Sequence, residues 1–155
     1  MRSTTRIARE ISALVNGVPG SGFRGFGRDA VFWTDGGDSL FFPRLLLPTG
    51  FHQRHSAVLV VIPDGYGYGV PLQDVYVEAD LLLADGGRPS RLFELITAGL
   101  PPHAAGGADA SLLAPSLHYQ GRIPRLAYLC IHPTTDVTFD EYLEQIYVYL
   151  SNPAE

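Results

Sequence analysis

The only thiol in this chain of 155 residues is Cys130. It follows an apolar run, Leu126-Ala-Tyr-Leu129, and precedes Ile131-His-Pro133. A single cysteine forms no internal disulfide, so it is either a packed core residue or a reactive thiol. Free cysteines are among the most buried residue types, which favours the first reading for Cys130 taken alone. His132 lies two positions on, where strand residues share a face, so a thiol–imidazole hydrolase is one chemistry open to the pair. Such pairs normally join distant segments, and His132-Pro133 reads instead as the start of a turn into the last helix. Upstream, His118-Tyr-Gln120 offers an imidazole and a side-chain amide. His52 and His55 would have to join Cys130 and His132 to make a zinc site. Strong zinc patterns carry repeated thiols or a helical histidine pair, and neither occurs here, so no metal is expected.

Gly20-Ser-Gly-Phe-Arg-Gly25 matches the dinucleotide-binding pattern letter for letter. That pattern needs a strand before it and a helix after it, so that pyrophosphate meets the helix N-terminus. Here a helix precedes and a strand follows, which makes the segment a connector and excludes a nicotinamide site there. Composition narrows the classes further. Hydrophobic residues at 46% and charged residues at 17% are ordinary for one globular domain spanning residues 1–155. A net charge of −5 argues against a nucleic-acid-binding surface. No apolar core follows the basic residues at the N-terminus, and the longest apolar runs, such as Ala57–Pro63, are too short to span a bilayer. A soluble cytoplasmic protein with no membrane partner is the expectation.

The elements that position the thiol follow from periodicity. Ile7, Ile11, Leu14 and Val15 recur at helical spacing, with Thr4 or Thr5 as cap and Asn16-Gly17 as stop. Residues 30–34 and 39–47 read as strands joined by Asp35-Gly-Gly-Asp38, with Pro43 implying an edge or a bulge. Ala57–Ile62 is β-branched without polar alternation, as in a strand covered on both faces. Val75–Leu83 is the next extended segment, and the series reads as a four-stranded antiparallel meander. Pro89 to Pro115 is a long irregular stretch in which Ser90–Leu100 has the pattern of a short helix. Thr138-Phe-Asp-Glu141 is a capping box, and Phe139, Tyr142, Leu143, Ile146 and Leu150 form the inner stripe of a helix ending at Ser151-Asn-Pro153.

Three markers carry a resemblance to a known family. After the third strand, Pro63, Tyr66 and Pro71 fall at the spacing of the proline-tyrosine-proline segment of ubiquitin-conjugating enzymes, with Val75 at a usual apolar position. Gly67 and Val70 replace two of that family's prolines. His118-Tyr119-Gln120 lies where the family carries His-Pro-Asn, at a separation from the cysteine two residues wider. The last helix, ending in Asn152-Pro153, is similar to the helix after the family's catalytic cysteine. The stretch of about residues 85–115 is an insertion relative to the eukaryotic enzymes. It resembles the divergent bacterial branch of the superfamily, including its family E.

The resemblance implies an α+β ubiquitin-conjugating fold with an N-terminal helix and a C-terminal helix after the cysteine. It implies a transferase in which Cys130 carries a ubiquitin-like modifier as a thioester. Gln120 would stand where an asparagine amide supports the oxyanion, one methylene longer than in the family, and His118 would be a hydrogen-bonded structural histidine. Asp136 or Asp140 would hydrogen-bond an incoming lysine, although either also fits as helix N-terminal charge. The implied partners are an activating enzyme, the modifier and a protein substrate, with no cofactor at this step. In bacteria such genes often sit in operons with those partners and a deconjugating protease, some of them antiviral. The alternative is a catalytically silent member serving as a binding module, which a Cys130 buried beneath residues 89–115 would favour.

Overall fold

The structure is a computed structural model describing residues 1–94, 119–122 and 124–153. Helix α1 covers Thr4–Asn16 and helix α2 covers Phe139–Ser151. Between them lie β1 (Phe32–Trp33), β2 (Ser39–Leu46), β3 (His55–Val61), β4 (Asp74–Glu78), β5 (Leu92–Glu94) and β6 (Leu126–Leu129). All neighbours pair antiparallel in the order β1-β2-β3-β4-β6-β5. No helix among the described residues is long and apolar enough to cross a membrane.

Strands β1 to β4 form the expected meander, but the sheet does not stop at four strands. The apolar run ahead of Cys130 joins it as β6, pairing Val75 with Leu129 and Val77 with Ala127. Strand β5 then covers the outer edge of β6, pairing Leu92 with Leu129. This replaces the start of the helix expected over Ser90–Leu100, whose remainder lies outside the described residues. An open β6 edge would leave backbone donors without acceptors, and extended backbone at Arg91–Glu94 supplies them.

Local signals account for most of the rest. Pro43 sits in a register shift between Phe42 and Leu45, as a residue without an N–H requires. Strand β3 is buried on both faces from Ser56 to Val61, matching its unbroken apolar run. Thr34 Oγ1 accepts from the N–H groups of Asp38 and Ser39, closing the β1–β2 turn. The α1 cap is Ser3 rather than Thr4 or Thr5, its hydroxyl accepting from Arg6 N at 3.3 Å. Ser3 N–H is itself held by the Tyr66 carbonyl at 2.8 Å, so a tertiary contact selects which of three adjacent hydroxyl residues caps the helix.

The glycine-rich segment is a connector, and it caps α1. Phe26 N–H donates to the Leu14 carbonyl at 2.7 Å and Gly27 N–H to the Val15 carbonyl at 3.0 Å. These are carbonyls that a helix C-terminus leaves without internal donors. A Cβ at Gly25 would lie 2.3 Å from the Val15 carbonyl oxygen, so only glycine allows this approach.

Sheet pleating divides the core in two. Val75, Val77, Ala127 and Leu129 face the side covered by α1 and α2. Tyr76, Leu126 and Tyr128 face the other side with Phe41, Ala57, Leu59 and Val61, joined there by Phe32, Tyr119 and Cys130. The period of two thus assigns Tyr128 and Cys130 to the face away from the helices.

Candidate functional site

Cys130 sits one residue past the end of β6, with its backbone held at two points. Its N–H donates to the Arg91 carbonyl at 2.9 Å, and Ile131 N–H donates to the Leu129 carbonyl at 3.0 Å. The second bond spans two residues and closes a γ-turn centred on the cysteine. The φ of Cys130 is not positive, so this is the relaxed, inverse form of that turn. The turn kinks the chain as it leaves the sheet and folds Ile131 and His132 back beside the thiol.

The consequence is a cluster that sequence reasoning set aside. Cys130 Sγ lies 3.2 Å from His132 Nε2, and the Tyr128 hydroxyl lies 3.2 Å from the same nitrogen. The expectation that His132 only begins a turn is therefore incomplete, because the γ-turn at Cys130 also brings the imidazole onto the thiol. The signal was present in the spacing, since Tyr128, Cys130 and His132 alternate. Tyr128 is buried while His132 is exposed and Cys130 is partly exposed, so the cluster runs from interior to surface. Behind it, Asp74 is 2% exposed at the start of β4, and its charge acts on the Tyr128 phenol. Burial, then the charge of Asp74, pushes the Tyr128 phenol well above its ordinary range. Tyr142, whose hydroxyl donates to the Ile131 carbonyl at 3.2 Å, is likewise pushed up, first by burial and then by Asp74.

Past the thiol, Ile131 and His132 line an open groove of about 590 Å³ that Cys130 itself does not line, with Arg91 on one wall and Glu141, Glu144 and Gln145 of α2 on the other. Arg91 lies over the Tyr149 ring, 5.0 Å from its centroid, and its N–H donates to the Tyr149 hydroxyl at 2.9 Å. These contacts fix the β5 edge against α2.

The other candidates are placed as follows. His118 lies outside the described residues. Tyr119 packs edge-on against Phe32 at 5.0 Å and beside Phe41 at 5.1 Å, in the same cluster as Cys130. That brings its segment to the cysteine's side of the sheet, and Gln120 stands exposed next to it. Among the described residues no three histidine, cysteine or acidic side chains converge as a metal site would need, so His52 and His55 are not joined to Cys130 and His132. Asp136 is engaged elsewhere: Arg6 donates to both its oxygens, at 2.7 and 2.9 Å.

That ion pair belongs to a structural hub at the Pro63–Pro71 turn. Arg6 also donates to Glu10 Oε2 at 2.5 Å and lies over the Tyr66 ring at 4.5 Å. Glu10 Oε1 accepts from the Tyr66 hydroxyl at 2.6 Å and from Phe139 N–H at 2.8 Å. Tyr66 stacks on Phe139 with centroids 5.0 Å apart. One buried carboxylate thus ties α1, the β3–β4 turn and the first turn of α2 together, and α2 is the element that follows the cysteine. Burial followed by the bond to Glu10 pushes the Tyr66 phenol above its ordinary range.

Comparison with known proteins adds no name to this arrangement: no family model, curated protein or solved structure matches the chain.

Proposed function

We propose that this protein is a conjugating enzyme of the ubiquitin-conjugating type, carrying a ubiquitin-like modifier as a thioester on Cys130 and passing it to an amine. The observation that carries the reading is the placement of the thiol. It is free and partly exposed at the turn between the sheet and the C-terminal helix, with its backbone tied to Arg91, the residue before β5. A meander with a helix on either side of it in sequence, and a buried tyrosine in the Pro63–Pro71 turn, also fits the ubiquitin-conjugating fold. The alternative, a silent binding module with Cys130 buried beneath residues 89–115, turns on a segment most of which lies outside the described residues.

The chemistry needs only the thiol and donors for developing charge. The Cys130 sulfur takes the modifier's C-terminal carbonyl from a thioester on the activating enzyme, then yields it to a lysine amine. Gln120 would supply an amide donor to the oxyanion, a contribution of about 3–4 kcal/mol where such donors are well placed. His118 would brace that segment, as the resemblance implies.

The test is a charging assay with the activating enzyme, modifier and ATP. Wild-type protein should gain an adduct that thiols reverse, Cys130→Ser at most a thiol-resistant oxyester, and Cys130→Ala none. Gln120→Ala should charge normally and discharge to amine more slowly. If wild-type protein binds the loaded activating enzyme without ever forming the adduct, the protein is a binding module and the transferase reading fails.

A further inference from the structure

We propose that His132 is the proton acceptor and donor for Cys130, held in place by the Tyr128 hydroxyl. For its acyl substrate the inference rests on the thioester reading, while its acid–base chemistry stands on the geometry of the cluster. Three observations converge. The imidazole Nε2 is within hydrogen-bond reach of the sulfur at 3.2 Å. The same nitrogen is 3.2 Å from a buried tyrosine hydroxyl. The imidazole is exposed and the thiol partly exposed, so both are open to a reactant.

In the neutral tautomer that carries its proton on Nδ1, the His132 Nε2 lone pair faces the Cys130 thiol and accepts its proton, while the Tyr128 hydroxyl holds the same nitrogen from the other side. Once that proton has moved, Nε2–H lies between the Cys130 sulfur and the Tyr128 oxygen and donates to both. The imidazolium is stabilised in place, with the Asp74 charge behind it. Tyr128 is a positioning residue, and His132, which touches the reacting sulfur, is a catalytic one.

The transfer balances without any other reactant. The Cys130 proton passes to His132 Nε2, and the sulfur bonds to the carbonyl carbon of the incoming thioester. As the tetrahedral intermediate collapses, the bond from carbon to the activating enzyme's sulfur breaks. The departing thiolate takes the proton back from His132, leaving one thioester and one thiol, as at the start. In discharge, His132 receives the proton lost by the attacking amine and returns it to the Cys130 sulfur. Among the described residues, the titratable groups facing His132 include Cys130 and Tyr128, Asp74 behind Tyr128, and Arg91, Glu141 and Glu144 across the groove.

The experiment pairs alkylation of the purified full chain without partners with the charging assay described above. Iodoacetamide modification is followed by intact-protein mass, which is unambiguous because the chain has one cysteine. His132→Asn keeps a polar side chain at an exposed position and should slow alkylation about tenfold at pH 7. Wild-type rates should show a pH inflection from the imidazole that the variant lacks. Tyr128→Phe should slow alkylation less and shift that inflection. His132→Gln repeats the test if the asparagine variant unfolds. Equal rates and profiles in wild type and both His132 variants would overturn the assignment. If alkylation depends on His132 but no thioester forms, the base stands and the transferase reading falls. If thioester forms equally fast with His132→Asn, the base falls and the transferase reading stands.

Discussion

Replacing Glu10 with alanine should be the most damaging single change to the hub that holds α2 in place. The Glu10 side chain is 10% exposed and serves three donors: Tyr66 hydroxyl, Phe139 N–H and Arg6 Nε. Arg6 keeps Asp136, and the Tyr66 hydroxyl falls back on the Val137 carbonyl at 3.3 Å. Phe139 N–H, buried at the start of the helix, is left without its acceptor, at about 1–3 kcal/mol. Removing one partner of a mostly buried charge pair brings the total to about 3–5 kcal/mol. Alanine's better helix propensity returns at most about half a kcal/mol. At about 2–4 °C per kcal/mol for a domain of this size, the melting temperature should fall by about 6–20 °C. Glu10→Gln, which retains an acceptor for Tyr66 and Phe139, should cost about 1–2 kcal/mol, and Tyr66→Phe, which keeps the stacked ring, about 1 kcal/mol. Urea unfolding with a check on the slope gives the three values. A Glu10→Ala variant within 1 kcal/mol of wild type, or a Tyr66→Phe variant as costly as Glu10→Ala, would refute the hub.

Two further outcomes follow from other parts of the structure. Tyr66, Tyr128 and Tyr142 are all raised above the ordinary tyrosine range, so their contribution to stability is complete below about pH 10, the unfolded value, and is lost as pH rises toward their folded values. Stability should therefore fall above pH 10 by about 1.4 kcal/mol per pH unit for each tyrosine, and phenolate absorbance should show these three of the eight tyrosines ionising only with unfolding. Their ionisation in the folded protein near pH 10 would contradict it. Gly17→Ala would place a Cβ 2.2 Å from the Phe23 carbonyl oxygen at φ +81°, whereas Gly20→Ala, at the same φ, meets open space. The first should cost clearly more than the second, whose strain alone is about 1 kcal/mol, and equal unfolding midpoints would show that the connector does not pack on α1 as described.

What could be read from the sequence was what neighbouring residues decide among themselves. The Thr138–Glu141 capping box forms as spaced, with Thr138 and Glu141 each holding the other's backbone N–H. Pro43 makes its bulge because a residue without an N–H disrupts a ladder wherever it falls. The β3 run is buried on both faces because no polar alternation leaves it a wet one. These are short-range constraints, and they placed the meander, both helices and the cysteine between them. The tertiary structure decided whatever depends on which distant backbone is nearby. Arg91–Glu94 has a helical pattern on its own, but the open edge of β6 recruits Leu92–Glu94 as a strand. Ser3, Thr4 and Thr5 are chemically similar caps until the Tyr66 carbonyl holds Ser3. Asp136 looked available to a substrate until Arg6, from the other end of the chain, took both its oxygens. At the candidate site the alternation of Tyr128, Cys130 and His132 was visible in the letters. That alternation could not show the γ-turn at Cys130, which brings His132 to the thiol, or Asp74 on β4, whose charge lies behind the Tyr128 phenol. Both depend on β6 lying between β4 and β5, a pairing set by the whole sheet and not by the residues of the site.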